Sequence, residues 1–167
     1  MSEVVVQRAR RGDAEALINA NLANRDYHHP WVKPFTDVAG FELWFADQQT
    51  AASVSLIART PGGELVGTFN ISQIFLRGFR SAYLGYYGYR ETAGRGLMGR
   101  ALTLVTRHAF DEIGLHRIEA NVQPGNVRSR AMIERAGFRQ EGFSPRYLMV
   151  DGKWRDHERW ALLADDV

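Results

Sequence analysis

The chain contains no cysteine, which removes disulfides, thiolate zinc sites and a covalent acyl-cysteine mechanism together. It also lacks any apolar run near the ~20 residues that a membrane-spanning helix needs. The opening residues MSEVVVQRARRGD hold no apolar core followed by small residues. A secretory signal is therefore not expected, and a cytoplasmic location is. Lysine is nearly missing: Lys33 and Lys153 are the only two, and arginine supplies the other cations. The net charge is only +2, with acidic residues interspersed throughout, so no basic stripe for a nucleic acid is expected. Arginine's planar fork suits phosphates. The surplus thus serves either an anionic ligand or simply a solvated surface. The five histidines form no ligand array; His28 and His29 are adjacent, and adjacent side chains cannot easily face one ion. No metal is expected.

What is present reads as one domain over residues 1–167, long enough to bury a proper core. Apolar residues make up 45% and charged residues 24%, the balance of a folded globular chain. Asp13 followed by Ala14, Glu15, Leu17, Ile18 and Leu22 predicts a helix with an N-cap and an acidic first turn. Residues 23–35 (ANRDYHHPWVKPF) are aromatic and broken by proline, hence irregular. A short helix follows at 41–47.

Then the period changes. Strands are predicted at 53–59, 64–75 and 82–89, joined by short connections into an antiparallel meander. Leu97, Met98, Ala101, Leu102, Val105 and Ala109 recur at helical spacing, which starts a helix near Gly96. A strand at 116–122 and a helix at 126–136 come next, the latter with Asn126 as N-cap and Gly137 at the left-handed position past its end. Terminal strands are predicted at 138–143, 146–150 and 154–163, the last two joined by Asp151-Gly152, a strong hairpin signal. The fold class is α+β, with about four helices on one mixed, mostly antiparallel sheet.

The segment YLGYYGYRETAGRGLMGR (83–100) is the most informative. A strand ends, glycines let the backbone approach something closely, and a helix begins at once. Such a junction aims free N–H groups and the positive end of the helix dipole at one spot, which suits an anion. A plain tight turn is the other reading. The strand belongs to a meander with no parallel βαβ unit after it, so this is no dinucleotide fingerprint, and no Gly-Lys-Ser/Thr ending makes a nucleoside triphosphatase loop.

Strand, GRG turn, helix and strand, followed by Asn126-Val-Arg-Ser129, Gly137-Phe138 and Glu141-Gly142, resemble the GNAT N-acetyltransferase superfamily. More narrowly the chain resembles the bacterial ribosomal-protein-alanine N-acetyltransferases. That likeness rests on GRGLM with the following AL (94–102), on His116-Arg117-Ile118, and on Tyr147-Leu148, Asp151-Gly152 and Trp154-Arg155-Asp156-His157. The early Asn24-Arg25 and Pro30-Trp31 fit as well. The resemblance spans roughly residues 7–163. It implies acetyl-coenzyme A as cosubstrate, its pyrophosphate held around Gly94, Arg95, Gly96, Leu97, Met98 and Gly99. It implies that the strand ending at Tyr87 and Tyr89 pairs with the pantetheine arm, and that Asn126 and Ser129 lie near the thioester. The chain departs from the family pattern in four places. Ala93 replaces the glutamine or arginine that opens the phosphate motif, and Met98 a small residue. Ile133 stands where many members place a tyrosine acid, and Asn121 where many place a glutamate.

Thioester aminolysis needs a neutral amine, a stabilised oxyanion and a proton for the departing thiolate. An α-amino group with a pKa near 8 is about one-tenth neutral at pH 7, whereas a lysine side chain near ~10.4 lags by about 2.5 units, or roughly 3.5 kcal/mol. A site without a powerful base should therefore favour protein N-termini. Glu119, on the same strand face as Asn121, is the candidate base or water-orienting group; an ion pair with Arg117 is the competing reading. Ser129 is a candidate to hydrogen-bond the thiolate, and Tyr147 to protonate it or to line the acceptor pocket, against a surface serine and an ordinary strand tyrosine. Asp156 and His157 fall on opposite strand faces and cannot act as a dyad. His116 is read as structural. His28, His29, Trp31 and Phe35 either wall the acceptor site or cap the core.

Three functions remain open at this point. The first is acetyl transfer to a protein N-terminus. The second is transfer to a small amine such as an amino acid, polyamine or aminoglycoside, for which Asp26, Asp37, Glu42 and Asp47 supply acidic surface. The third is a non-catalytic module that binds acyl-coenzyme A. A monomer and a homodimer are equally consistent with the sequence.

Overall fold

A computed structural model describes residues 3–167. Seven strands form one sheet in the order β1-β2-β3-β4-β5-β7-β6. They are β1 (Val5–Arg8), β2 (Val54–Arg59), β3 (Leu65–Phe75), β4 (Ser81–Gly88), β5 (Arg117–Val122), β6 (Arg139–Val150) and β7 (Lys153–Leu163). Every neighbouring pair is antiparallel except β4 with β5. The helices are α1 (Ala14–Ala23), α2 (Arg25–His28), α3 (Val38–Asp47), α4 (Leu97–Arg107) and α5 (Val127–Arg135). The fifth helix beyond the expected four is α2, a single turn inside the segment read as irregular. Among the described residues no helix is long and apolar enough to cross a membrane.

Strand alternation divides the apolar residues between two layers. Leu56 and Ala58 of β2, Phe69 and Ile71 of β3 and Ile118, Ala120 and Val122 of β5 face one side, where they pack with Leu97, Ala101, Leu102 and Val105 of α4 and Ile133 of α5. Ile57 and Leu65 face the other side, against Leu17 of α1 and Phe41, Trp44 and Phe45 of α3. That second apolar layer reaches β2 and β3. Along β5 and β7 the same face carries polar residues instead, among them Glu119, Asn121 and Arg159, and this asymmetry sets up the site.

Local rules account for most boundaries. Asn126 caps α5, its Oδ1 accepting from the Ser129 amide at 3.3 Å. Gly137 ends that helix at φ +93°, letting the Phe138 amide donate back to Ile133 at 3.0 Å. A Cβ on Gly137 would also stand 3.4 Å from Leu162 Cδ1. Gly137→Ala should therefore cost about 1–2 kcal/mol, the penalty of a left-handed L-residue, read as a lower melting temperature. Asp151 and Gly152 turn β6 into β7 with φ of +50° and +73°, the left-handed pair that a two-residue hairpin requires.

Three expectations need correction. Asp13 does not cap α1 with its side chain; its carboxylate accepts from the Arg10 amide at 2.7 Å and from Arg59 at 2.9 Å. The segments 138–143 and 146–150 are one strand, β6, which bends where Arg146 takes φ +48° and the register slips between Ser144 and Leu148. Pro145 interrupts no ladder there because β6 is the sheet edge, where a missing N–H is tolerated. The sequence reading also passed over β1, a four-residue strand paired with β2.

Candidate active site

The parallel pairing of β4 with β5 covers only Ser81↔Arg117, Ala82↔Ile118 and Tyr83↔Glu119. Beyond that point the strands separate. β4 continues to Gly88 on β3, and β5 continues to Val122 on β7. Two strand edges therefore face a wedge with backbone groups that no strand pairs, and an extended ligand can satisfy such groups.

At the end of β4 the chain passes through Gly94 and Gly96, at φ +76° and +71°, into α4. The first bond across this helix start runs from the Arg100 amide to the Gly96 carbonyl at 3.3 Å. The amides of Leu97, Met98 and Gly99 precede it and have no partner within the helix. No acidic residue stands in the first turn, so nothing offsets the positive pole of the dipole. The Leu97 side chain is buried in the core. Met98 lies against Gly67 and Gly88: a Cβ on Gly67 would collide with its side chain, and one on Gly88 would crowd it at 3.1 Å. The helix start is thereby seated flush on β3 and β4, and Leu97 and Met98 can meet a ligand only through their amides. Arg95 is exposed and lies 3.4 Å from Glu64.

On the α5 side of the wedge, the Ser129 hydroxyl meets the Tyr86 hydroxyl at 2.6 Å. Burial pushes the Tyr86 phenol up to about 12, with Ser129 opposing part of the rise, so the phenol keeps its proton at neutral pH. Tyr86 was not singled out from the sequence. Its one signal is phase: it shares the parity of Ala82 and Leu84, which face α4. Ile133 is buried.

On the opposite face Tyr147 acts on the Tyr83 hydroxyl and, ahead of burial, raises the Tyr83 pKa. Glu119 accepts from Arg117 Nε at 2.8 Å, and Arg117 also forks onto Glu141. Arg117 in turn holds the Glu141 carboxyl below its usual range. Ser129 and Tyr147 thus approach the wedge from the two faces of the sheet, and Glu119 lies beside it in an ion-pair chain.

Tyr87 and Tyr89 turn their side chains toward α1 and α2. The Tyr89 hydroxyl is buried against Thr68 Oγ1 at 3.0 Å and Asn21 Oδ1 at 3.4 Å, and burial raises its pKa far above normal. His28 packs edge-on against both rings and donates from Nε2 to the Gly88 carbonyl at 2.8 Å. Burial lowers the His28 pKa, which keeps the ring neutral. Of the early aromatics, Phe35 joins the α3 core. Trp31 lies over Gly125, 3.2 Å from where its Cβ would stand. Gln123 donates to the Trp31 carbonyl at 3.2 Å, and Lys33 pairs with Asp151 at 2.6 Å. Residues 30–33 therefore strap the β5–α5 connection to the β6–β7 turn. His116 meets Asp165 at 3.1 Å. Asp156 accepts from the Arg146 amide and His157 meets the Arg155 carbonyl. Among the described residues no group of histidine, aspartate or glutamate could hold a metal.

A family model described as an acetyltransferase (GNAT) domain matches residues 3–139. The chain belongs to this family. The GNAT assignment agrees with individual relatives. The ribosomal protein uS5-alanine N-acetyltransferase of Escherichia coli is 41% identical over 174 residues, covering 98% of this chain and 89% of the relative. The probable N-acetyltransferase YjcK of Bacillus subtilis is 39% identical over 102 residues, 61% of this chain and 56% of the relative. The structure of Mycobacterium smegmatis RimJ in complex with CoA-disulfide superposes with a TM-score of 0.89 at 32% identity, covering 98% of this chain and 83% of that one. This GNAT chain is an N-acetyltransferase that takes its acetyl group from acetyl-CoA.

Proposed function

We propose that the acceptor is the α-amine of a protein N-terminus. The observation that carries this reading is the ion pair of Glu119 with Arg117 at 2.8 Å. The β5 carboxylate beside the wedge is committed to a guanidinium, which leaves it poorly placed to strip a proton from a lysine-like ammonium. An α-amine does not need that help, because about one-tenth is already neutral at pH 7. The relative named for alanine acetylation of ribosomal protein uS5, 41% identical to this chain, supports the same choice.

The residues present suit acetyl-CoA. The unpartnered amides at Leu97, Met98 and Gly99, reached through Gly94, Arg95 and Gly96, cradle its pyrophosphate. The open edge of β4 near Tyr87 and Tyr89 takes the pantetheine amides through backbone groups, since both tyrosine side chains are committed elsewhere. The cosubstrate supplies a thioester, a carbonyl with a good leaving group. In the transfer a C–N bond forms and the C–S bond breaks, the nitrogen loses one proton and the sulfur takes up one. Ser129 donates the proton to sulfur, held by Asn126 at its amide and by Tyr86 at its hydroxyl. The proton lost by nitrogen passes to solvent, which restores Ser129, while Tyr86 keeps its own proton and holds the Ser129 hydroxyl in place through their hydrogen bond. Tyr147, beside Tyr83, lines the acceptor side.

The test is thiol release from acetyl-CoA against a panel of amines. Peptides beginning with alanine or serine should be turned over, and the same peptides blocked at the N-terminus should not. Turnover confined to polyamines, aminoglycosides or free amino acids would move the function to small amines. Tight acetyl-CoA binding with no turnover on any amine would leave a binding module.

A further inference from the structure

Three side-chain atoms on the acceptor face of β5 and β7 are buried without a hydrogen-bond partner: Asn121 Oδ1, Arg155 Nε and Arg159 Nε. Buried polar atoms are nearly always satisfied, and a cluster of exceptions marks groups that a ligand completes. Asn121 and Arg159 stand directly opposite each other in the β5–β7 register. Arg155 follows on the same face, about 13 Å along the strand at ~3.3 Å per residue. The Arg159 guanidinium lies across Gly142, the residue paired with it on β6, in a space that a Cβ there would fill. No carboxylate lies within ion-pair distance of either guanidinium among the described residues, although Arg159 acts on Glu141 at longer range. Keeping two half-buried cations without partners is costly, so this patch is built for something that arrives.

What is missing differs along the patch. Asn121 lacks an N–H donor, and the two arginines lack oxygen acceptors. An amine beside a carbonyl supplies both, and that is the pattern of a peptide N-terminus. A polyamine supplies donors only and adds repulsion. We propose that Asn121 and Arg159 recognise the first amine and carbonyl of an acceptor peptide, and that Arg155 reads a carboxylate side chain further along it. An extended chain advances about 3.3 Å per residue, so the 13 Å span is about four steps from the first residue and places that carboxylate at roughly the fifth. The inference rests on the N-terminal acceptor reading above and adds the sequence class of the acceptor.

The experiment compares two alanine-initiated peptides that differ only in glutamate or glutamine at the fifth residue. The unaltered enzyme should prefer the glutamate peptide by about tenfold in kcat/KM, the worth of one charge-assisted hydrogen bond, with the difference in KM. Arg155→Gln should abolish that preference while leaving the KM for acetyl-CoA unchanged. Arg159→Gln should raise the KM of both peptides about tenfold or more. Peptide turnover indifferent to both the glutamate and the two substitutions would overturn this inference and leave the N-terminal acceptor standing. Turnover of polyamines but of no peptide would overturn both. The peptide comparison needs no variant, so a folding defect in either arginine substitution cannot mask the answer.

Discussion

Ser129→Ala is expected to lower kcat about 100-fold or more, the ordinary worth of a positioned proton donor, while the KM for acetyl-CoA should change little. The hydroxyl is held from two sides, with its own amide on Asn126 Oδ1 and its oxygen 2.6 Å from the Tyr86 phenol. No tyrosine is available from α5, because Ile133 occupies that position and is buried. Coenzyme A thiolate leaves readily, which is why a hydroxyl is proposed to suffice where a phenol is absent. Tyr86→Phe should cost less, about tenfold, because Tyr86 acts by orienting the Ser129 hydroxyl through one hydrogen bond. The decisive arrangement is the double variant. In a Ser129→Ala background, Tyr86→Phe should have no further effect on kcat, since a residue acting through Ser129 has nothing left to act through. Additive losses would instead make Tyr86 an independent packing residue. Single-turnover measurements at saturating acetyl-CoA separate these outcomes from changes in product release.

Gly96→Asp should raise the Kd of acetyl-CoA about 100-fold or more, because like charges ~4 Å apart at a protein surface repel by about 4 kcal/mol. Gly96 sits at φ +71° immediately before the unpartnered amides of α4, where a carboxylate would occupy the pole proposed to hold phosphate. Aspartate is among the residues that enter the left-handed region, so the variant should stay folded and lose only a few degrees of melting temperature. Gly96→Asn separates shape from charge: it adds the same bulk without the anion and should weaken binding far less. Equal losses from both substitutions would show that the turn excludes any side chain and that the electrostatic account is wrong. Calorimetric titration with coenzyme A, alongside thermal melts, reads both quantities.

The parts legible in the sequence were those written in neighbouring residues. Gly94 and Gly96 before an apolar helix announced the turn, Asn126 and Gly137 bracketed α5, and Asp151-Gly152 fixed the last hairpin, because each device is local. The pairing of Glu119 with Arg117 was legible as an alternative, since two residues apart on a strand share a face. What escaped depends on partners distant in the chain. Tyr86 and Ser129 are 43 residues apart, and nothing near either one announces the other. Tyr87 and Tyr89 carried a cofactor expectation because they end the right strand. Which way their rings turn is set by His28, Thr68 and Asn21, brought in by other elements. The continuity of β6 was hidden by Pro145, whose tolerance depends on β6 being an edge, a property of topology and not of local sequence. The unpartnered patch at Asn121, Arg155 and Arg159 needed the β5–β7 register before its members became neighbours.

The most direct test of the central claim is the position of the acetyl group on one peptide carrying both a free N-terminal alanine and an internal lysine. After incubation with acetyl-CoA, fragmentation mass spectrometry should find a single acetyl group on the α-amine and an unmodified lysine. Acetylation of the lysine in preference to the N-terminus would contradict the account, because it would require a base that the ion-paired Glu119 does not provide.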